Sequence, residues 1–248
     1  MDKLIYTAAS GLKARMAAQA VIANNMANAS TIGFRAERVN FDSLMLQGDG
    51  LDTRASASEE VKDFDRSSGT IISTGRNLDL AIPGDQWMAV QAADGSEAYT
   101  RRGDLNVSAS GVLETGDGFP VMGSGGAPIT VPPATSISIA GDGTVSIVPQ
   151  GGDAKTPQII DRIKFTSAKG SDTVKGLDNL VHVKGGGVLP TDEDAKCESG
   201  MLEQSNVNMT QALVDMLENQ RAYEVQANLM KSAKDMDEGG ASLMRMPN

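Results

Sequence analysis

Apolar residues recur along this chain with two different periods, and the change of period divides it. Near the N-terminus Ile5, Ala9, Leu12, Met16, Gln19, Ala23 and Met26 step alternately by four and three. That is the a/d repeat of a coiled-coil seam. Small Ala residues share the stripe with Leu and Met, so a partner helix can approach closely. The spacing predicts a helix over residues 3–28, with Asp2 placed to cap its start. Asn24, Asn25 and Asn28 weaken its end, and Gly33 offers a left-handed residue for the turn that follows.

A second stripe of the same kind lies near the C-terminus. Leu213, Met216, Gln220, Tyr223, Ala227 and Met230 repeat by three and four, with Leu217 beside them. Asn208 as N-cap and Gln211 three residues later form a capping-box pattern. Lys231–Asp235 and Lys234–Glu238 are i,i+4 pairs for the wet side, and Gly239-Gly240 is expected to end the helix.

Between the stripes the apolar runs shorten to strand length and turn dipeptides multiply. Trp87–Ala92, Asp94-Gly95 and Ala98–Arg101 predict a hairpin. Leu105–Val107 and Val112–Glu114, joined through Gly111, predict another. In Ser136–Ala140, Gly141-Asp142-Gly143 and Thr144–Val148, the residues Ile137, Ile139, Val145 and Ile147 alternate with small or polar ones, so one face is buried. Ile159–Thr166 and Leu180–Val183 add strands. Val39–Leu46 fits either a short helix or an extended arm, and Gln47–Ser58, without apolar period, is expected to be a loop. The fold class is therefore α+β: long N- and C-terminal helices forming a coiled-coil-like stalk, and a central all-β, mainly antiparallel domain. The expected division is 1–60, N-terminal helix and linker; 61–200, β domain; 201–248, C-terminal helix. A two-helix stalk leaves much of each helix uncovered, so its remaining apolar faces need neighbours from other subunits.

Charge and composition narrow the function. Of 248 residues, 22 are Lys or Arg and 32 Asp or Glu, a net charge of −10. Such a chain lacks the cationic stripe that nucleic acid requires. No run of about 18 apolar residues is present, so no membrane span is expected. The opening Met-Asp-Lys-Leu-Ile-Tyr-Thr lacks the plan of a cleaved secretory signal.

Candidate chemistry is sparse. Cys197 is the single cysteine and makes no disulfide within the chain. His182, the single histidine, sits in a Val-His-Val strand pattern, and no Gly-x-Ser-x-Gly elbow accompanies it. Asp63-Phe-Asp65-Arg-Ser67-Ser-Gly69 has its glycine one position late for a calcium loop, with Thr74 where a bidentate Glu belongs. Asp192-Glu193-Asp194 reads as a solvated loop, and the glycine runs at 123–126 and 185–187 as turns. No catalytic residue, metal ligand or cofactor is expected, and the chain is expected not to be an enzyme. Paired acids on the β domain leave a cell-wall-acting enzyme as the reading from another class.

Several segments resemble the axial proteins of the bacterial flagellum: its rod, hook and hook-associated subunits. Asn24-Asn25-Met26-Ala27-Asn28-Ala29-Ser30-Thr31-Ile32-Gly33-Phe34-Arg35 looks like the family's N-terminal signature, in which Leu is common at the position of Met26 and Lys at that of Arg35. Ser205-Asn206-Val207-Asn208 and Gln220-Arg221-Ala222-Tyr223-Glu224 resemble the C-terminal signature. Leu78-Asp79-Leu80-Ala81-Ile82 with Gly84, and Tyr99-Thr100-Arg101-Arg102-Gly103, resemble the middle domain. The opening Met-Asp-x-x-Ile-Tyr-Thr-Ala and Trp87-Met88-Ala89-Val90-Gln91 are similar to the proximal-rod branch; distal rod and hook subunits, the alternative within the family, tend to have Gly-Phe-Phe in place of Gln86-Trp87-Met88.

The resemblance implies a structural subunit of the basal-body rod in the periplasm. It would be exported by the flagellar type III apparatus without a cleaved signal, would assemble with proximal and distal rod proteins, and would transmit torque to the hook. It places the subunit interfaces on the two stripes, at Ile5, Leu12, Met16, Met26, Leu213, Met216, Leu217, Tyr223 and Met230.

Overall fold

Asp2–Ala27 holds no proline and is rich in Ala, and it forms the first helix, α1. The computed structural model describes the backbone of residues 2–45, 55–151 and 156–244, and the side chains of 8–38, 63–151, 156–236, 238 and 239. The proposed caps and contacts of Asp2 and Ile5 lie outside the described side chains.

The last helix, α2, spans Met209–Met244. Asn208 Oδ1 accepts from the backbone N–H groups of Thr210 at 3.0 Å and Gln211 at 3.2 Å, which is the expected N-cap. The reciprocal half of the capping box is not made, because the Gln211 amide donates forward to Asp215 at 2.8 Å. Lys234 and Glu238 form the expected ion pair at 3.7 Å. The helix does not stop at Gly239-Gly240. A glycine costs about 1 kcal/mol in a helix interior, and the Ala, Leu and Met that follow sustain the ladder across it.

Two compact units emerge. The first comprises Met1–Ala27, Glu37–Asp63 and Asn208–Asn248, and the second Asn28–Ala36 and Phe64–Val207. In the first, Glu37–Met45 is a strand, which settles the ambiguity of that stretch, and pairs with Ala55–Phe64 in a two-stranded ribbon. Residues 55–58, expected in a loop, therefore belong to a strand. Their Ala-Ser-Ala-Ser sequence has little strand propensity of its own; the partner strand supplies the ladder. Residues 47–54 of the expected loop lie outside the described residues.

The second unit is built on an antiparallel five-stranded sheet in the order Phe165–Ser167, Gln86–Gln91, Glu97–Thr100, Val181–Val183, Thr173–Lys175. Trp87 and Ala89 point to one face and Met88 and Val90 to the other, and all four are buried, so both faces are covered. The larger core joins Met88 and Val90 to Leu80, Leu105, Val121, Ile129 and Phe165. The smaller gathers Phe64, Trp87, Tyr99 and Leu189, with the Phe64 and Trp87 rings edge to face at 5.6 Å.

A three-stranded sheet, Gln158–Arg162, Thr144–Pro149, Ala134–Ile139, contains the hairpin expected around Asp142-Gly143, with Val145 opposite Ile139 and Ile147 opposite Ile137. The single strand expected over Ile159–Thr166 is broken into Gln158–Arg162 and Phe165–Ser167. Between them the Ile163 N–H donates to Gly143 and the Lys164 N–H to Met122, so the chain crosses from one sheet to the other.

Candidate functional site

Three segments far apart in sequence meet inside the β unit around one carboxylate. Asn28–Ala36, the stretch after α1, lies in this unit as a strap. Its turn is stapled locally: Thr31 Oγ1 donates to Asn28 Oδ1 at 3.1 Å, and the Thr31 N–H to the Asn28 carbonyl. Ser30 is exposed. Gly33 adopts φ of 67° and donates its N–H to the Glu203 carbonyl at 2.7 Å. A Cβ there would stand 2.4 Å from the Arg101 carbonyl carbon, so both conformation and space demand glycine.

Phe34 and Arg35 follow, both buried. Arg35 pairs with Glu203 at 2.6 Å and donates to the Ser67 carbonyl. Arg101 grips the other carboxylate oxygen at 2.8 Å and donates to the carbonyls of Ile82, Gly84 and Gln86. The Gly69 N–H adds a third donor to Glu203 at 2.7 Å. All three side chains are about 1–2% exposed. Burial, and then the charge of Arg101, push the Arg35 guanidinium down to about 10 against the opposing pull of Glu203. Lys175 stands 3.5 Å from the centre of the Phe34 ring and donates to the Arg35 carbonyl at 3.1 Å.

The C-terminal signature closes the same junction. Asn206 Oδ1 accepts from the Ala36 N–H at 2.7 Å, and its amide donates to the carbonyls of Asp65 and Ser67 at 3.2 and 3.0 Å. Ser205 Oγ accepts from the Val207 N–H at 3.2 Å. In the middle segment, a Cβ at Gly103 would fall 1.7 Å from the Leu80 carbonyl oxygen, which accounts for its glycine. Sequence reasoning had singled out Gly33, Phe34, Arg35, Arg101 and Asn206 within family-like segments, but it missed Glu203 and Lys175 and the meeting of Arg35 with Arg101 on one carboxylate.

In the helical unit, Asn25 pairs with the Glu37 backbone in both directions, accepting its N–H at 2.8 Å and donating to its carbonyl at 2.9 Å, while Asn24 reaches the Glu37 carboxylate at 3.5 Å. The two helices run antiparallel, since Asn219 meets Arg15 and Gln19 while Gln226 lies on Gly11. They touch on a stripe beside the one the a/d repeat picks out. Ala8 of α1, and Ala212, Asn219 and Ala233 of α2, are buried there.

The stripe residues lie outside or at its margin. Leu12, Met26, Met216 and Met230 are half-buried, while Met16, Leu213, Leu217 and Tyr223 are exposed. Arg221 and Glu224 are exposed as well. Val225 and Leu229, on another side of α2, are 60% and 56% exposed. An open groove is lined by Met16, Gln19, Ala20, Ala23, Gln220 and Tyr223.

Other candidate chemistry is accounted for locally. His182 sits in strand Val181–Val183 with its ring nitrogen 3.0 Å from Asp178. Among the described residues no group of three His, Cys, Asp or Glu could share a metal ion, and no helix is long and apolar enough to cross a membrane. Cys197 is buried in the larger core, between the exposed Lys196 and Glu198, and its thiol donates to the Ala140 carbonyl at 3.2 Å. Burial pushes the thiol up to about 11, so it stays protonated and unreactive near neutral pH. The folded chain should therefore resist alkylation at pH 8 until denatured, and Cys197→Ser should leave folding and assembly intact. Fast stoichiometric labelling of the native chain would contradict this.

Comparison with known proteins agrees with these segments. Residues 5–35 match a family model described as flagella basal body rod protein. Residues 81–147 match the flagellar hook protein FlgE/F/G D1 domain, and 198–243 the flagellar basal body rod FlgEFG protein C-terminal region. The chain is 39% identical over 248 residues to the flagellar basal-body rod protein FlgF of Salmonella typhimurium, covering 98% of each. It is 39% identical over 241 residues to that of Escherichia coli, covering 95% of each. To the flagellar basal-body rod protein FlgG of Bacillus subtilis it is 32% identical over 257 residues, covering 95% of the chain and 97% of the relative.

Proposed function

The chain belongs to the flagellar basal-body rod family, and from that premise we propose that it is a FlgF-type structural subunit of the proximal rod. It is a structural rod component located in the basal body, and its work is assembly rather than catalysis. Its partners are other rod subunits, proximal and distal, and it reaches the periplasm through the flagellar export apparatus. The N- and C-terminal helices form the rod core as a coiled-coil-like stalk. Torque passes to the hook through the packed stalks.

The observation that carries this reading is that α2 exposes large apolar side chains on more than one side: Leu213 and Leu217 on one, Val225 and Leu229 on another. A helix apolar on several sides is stable in water only when several neighbours cover it. Contacts between unlike patches that do not close into a ring propagate as a helical array. The interface is assigned to Ile5, Leu12, Met16, Met26, Leu213, Met216, Leu217, Tyr223 and Met230. Trp87 in place of the Phe of distal subunits, and the greater identity to FlgF than to the FlgG relative, favour the proximal rod.

The test is deletion and complementation. Cells lacking the chain should form no complete rod, and the restored chain should copurify with basal bodies and occupy the proximal rod in a side-chain-resolution cryo-EM map. Complete rods in the deletion strain would defeat the proposal.

A further inference from the structure

The seam between α1 and α2 is made of small residues. On α2, Ala212, Asn219, Gln226 and Ala233 recur every seven residues and face α1. Ala212, Asn219 and Ala233 are buried and Gln226 half-buried. On α1, Ala8 is buried and Gly11 half-buried. A seam of Ala and Gly buries little area per side chain. It also looks much the same after a slide of one helical turn, so apolar packing by itself holds its register weakly.

Two polar contacts break that degeneracy. Asn219, 5% exposed, donates through Nδ2 to the Arg15 carbonyl at 3.0 Å and to Gln19 Oε1 at 2.8 Å. The Gln226 amide lies where a Cβ on Gly11 would stand, 1.9 Å from Nε2. Asn219 Oδ1, meanwhile, is buried without a hydrogen-bond partner. A polar side chain tolerated half-satisfied in a helix seam does not maximise stability; its attested use is to fix register and partner.

We infer that Asn219 sets the register of the α1–α2 pair. Resting on the rod reading above, it thereby keeps the Leu and Met side chains of α2 turned outward for neighbouring subunits. Sliding α2 by one turn takes the amide away from Gln19 Oε1 and leaves it only a backbone carbonyl of the neighbouring turn of α1. Rotating α2 to bring Leu213 and Leu217 into the seam would bury more apolar area, but it strands the same amide and forces bulk onto Gly11. Asn219 thus acts against the pairing that would consume the assembly surface within a single subunit.

The inference is tested in the full chain carrying Cys197→Ser, with spin labels at Ala20→Cys and Lys231→Cys. Both positions are exposed and lie in the helical unit. They are offset along the helix axes, so a one-turn slide of about 5.4 Å changes their separation. The parent should give a single narrow distance. Asn219→Leu should add a population displaced by about one turn, and Asn219→Ala, which cannot overpack the seam, should do the same.

An unchanged single distance in both variants, or a broad distribution already in the parent, overturns the assignment. Recovery in basal bodies, measured on chains that keep the native Ala20 and Lys231 and differ only at Asn219, separates the two ideas. Shifted variants that incorporate as well as the parent overturn the outward-face role. A parent that never enters basal bodies, with the shift still seen in the variants, overturns the rod reading and leaves the register role standing.

Discussion

Glu203→Ala should cost the β unit about 3–5 kcal/mol, a fall in melting temperature of roughly 10 °C for a unit of this size. The carboxylate is the only acid in direct ion-pair contact with two buried guanidinium groups, Arg35 from the strap and Arg101 from the central sheet, among the described residues. Removing it leaves two buried cations facing each other and deprives the Gly69 N–H of its acceptor. Arg101 retains its three backbone carbonyls, so Arg35 and the strap should be released first. Amide exchange should then rise over Asn28–Ala36 before the sheets lose protection. Glu203→Gln, which keeps the shape and an acceptor oxygen but not the charge, should lose less. A melting curve for Glu203→Ala that overlays the parent's would show that the two guanidinium groups find solvent, and the junction would have been misjudged as a structural node.

Leu217→Asp should abolish entry into the rod while leaving the isolated chain as stable as before. Leu217 is 58% exposed in the single subunit, so most of its burial remains to be gained on assembly. Fully burying a Leu is worth about 1.5–3 kcal/mol, and a bare carboxylate in that place adds a desolvation penalty of several kcal/mol. Repeated at each identical contact of a growing array, that loss prevents propagation. Thermal unfolding of the purified variant and its recovery in isolated basal bodies separate the possibilities. Unchanged unfolding with absent incorporation supports an assembly surface. A large drop in the melting temperature would place Leu217 in the monomer's own core, and normal incorporation would remove that face of α2 from the interface altogether.

What was legible in the sequence is what local rules govern. Periods of 3.5 and 2 located both helices and most hairpins, because side-chain direction follows from backbone repeat alone. Asn208 announced the start of α2, since a cap acts on N–H groups only two or three residues away. The recognisable segments at both ends and in the middle pointed to the family. Four features were decided elsewhere. Ala55–Phe64 became a strand because Glu37–Met45 offered it hydrogen bonds. Helix α2 passed through Gly239-Gly240 because two local penalties do not end a helix that good formers continue.

The stripe by which α1 meets α2 was likewise set by which faces fit together, through Gly11 against Gln226 and Asn219 against Arg15, rather than by which face is most apolar. The Arg35–Glu203–Arg101 cluster was beyond the reach of pattern altogether. Its members are separated by 66 residues or more along the chain. No spacing rule links them, and a charged residue looks like surface until the fold brings its counter-charge into the same dry space.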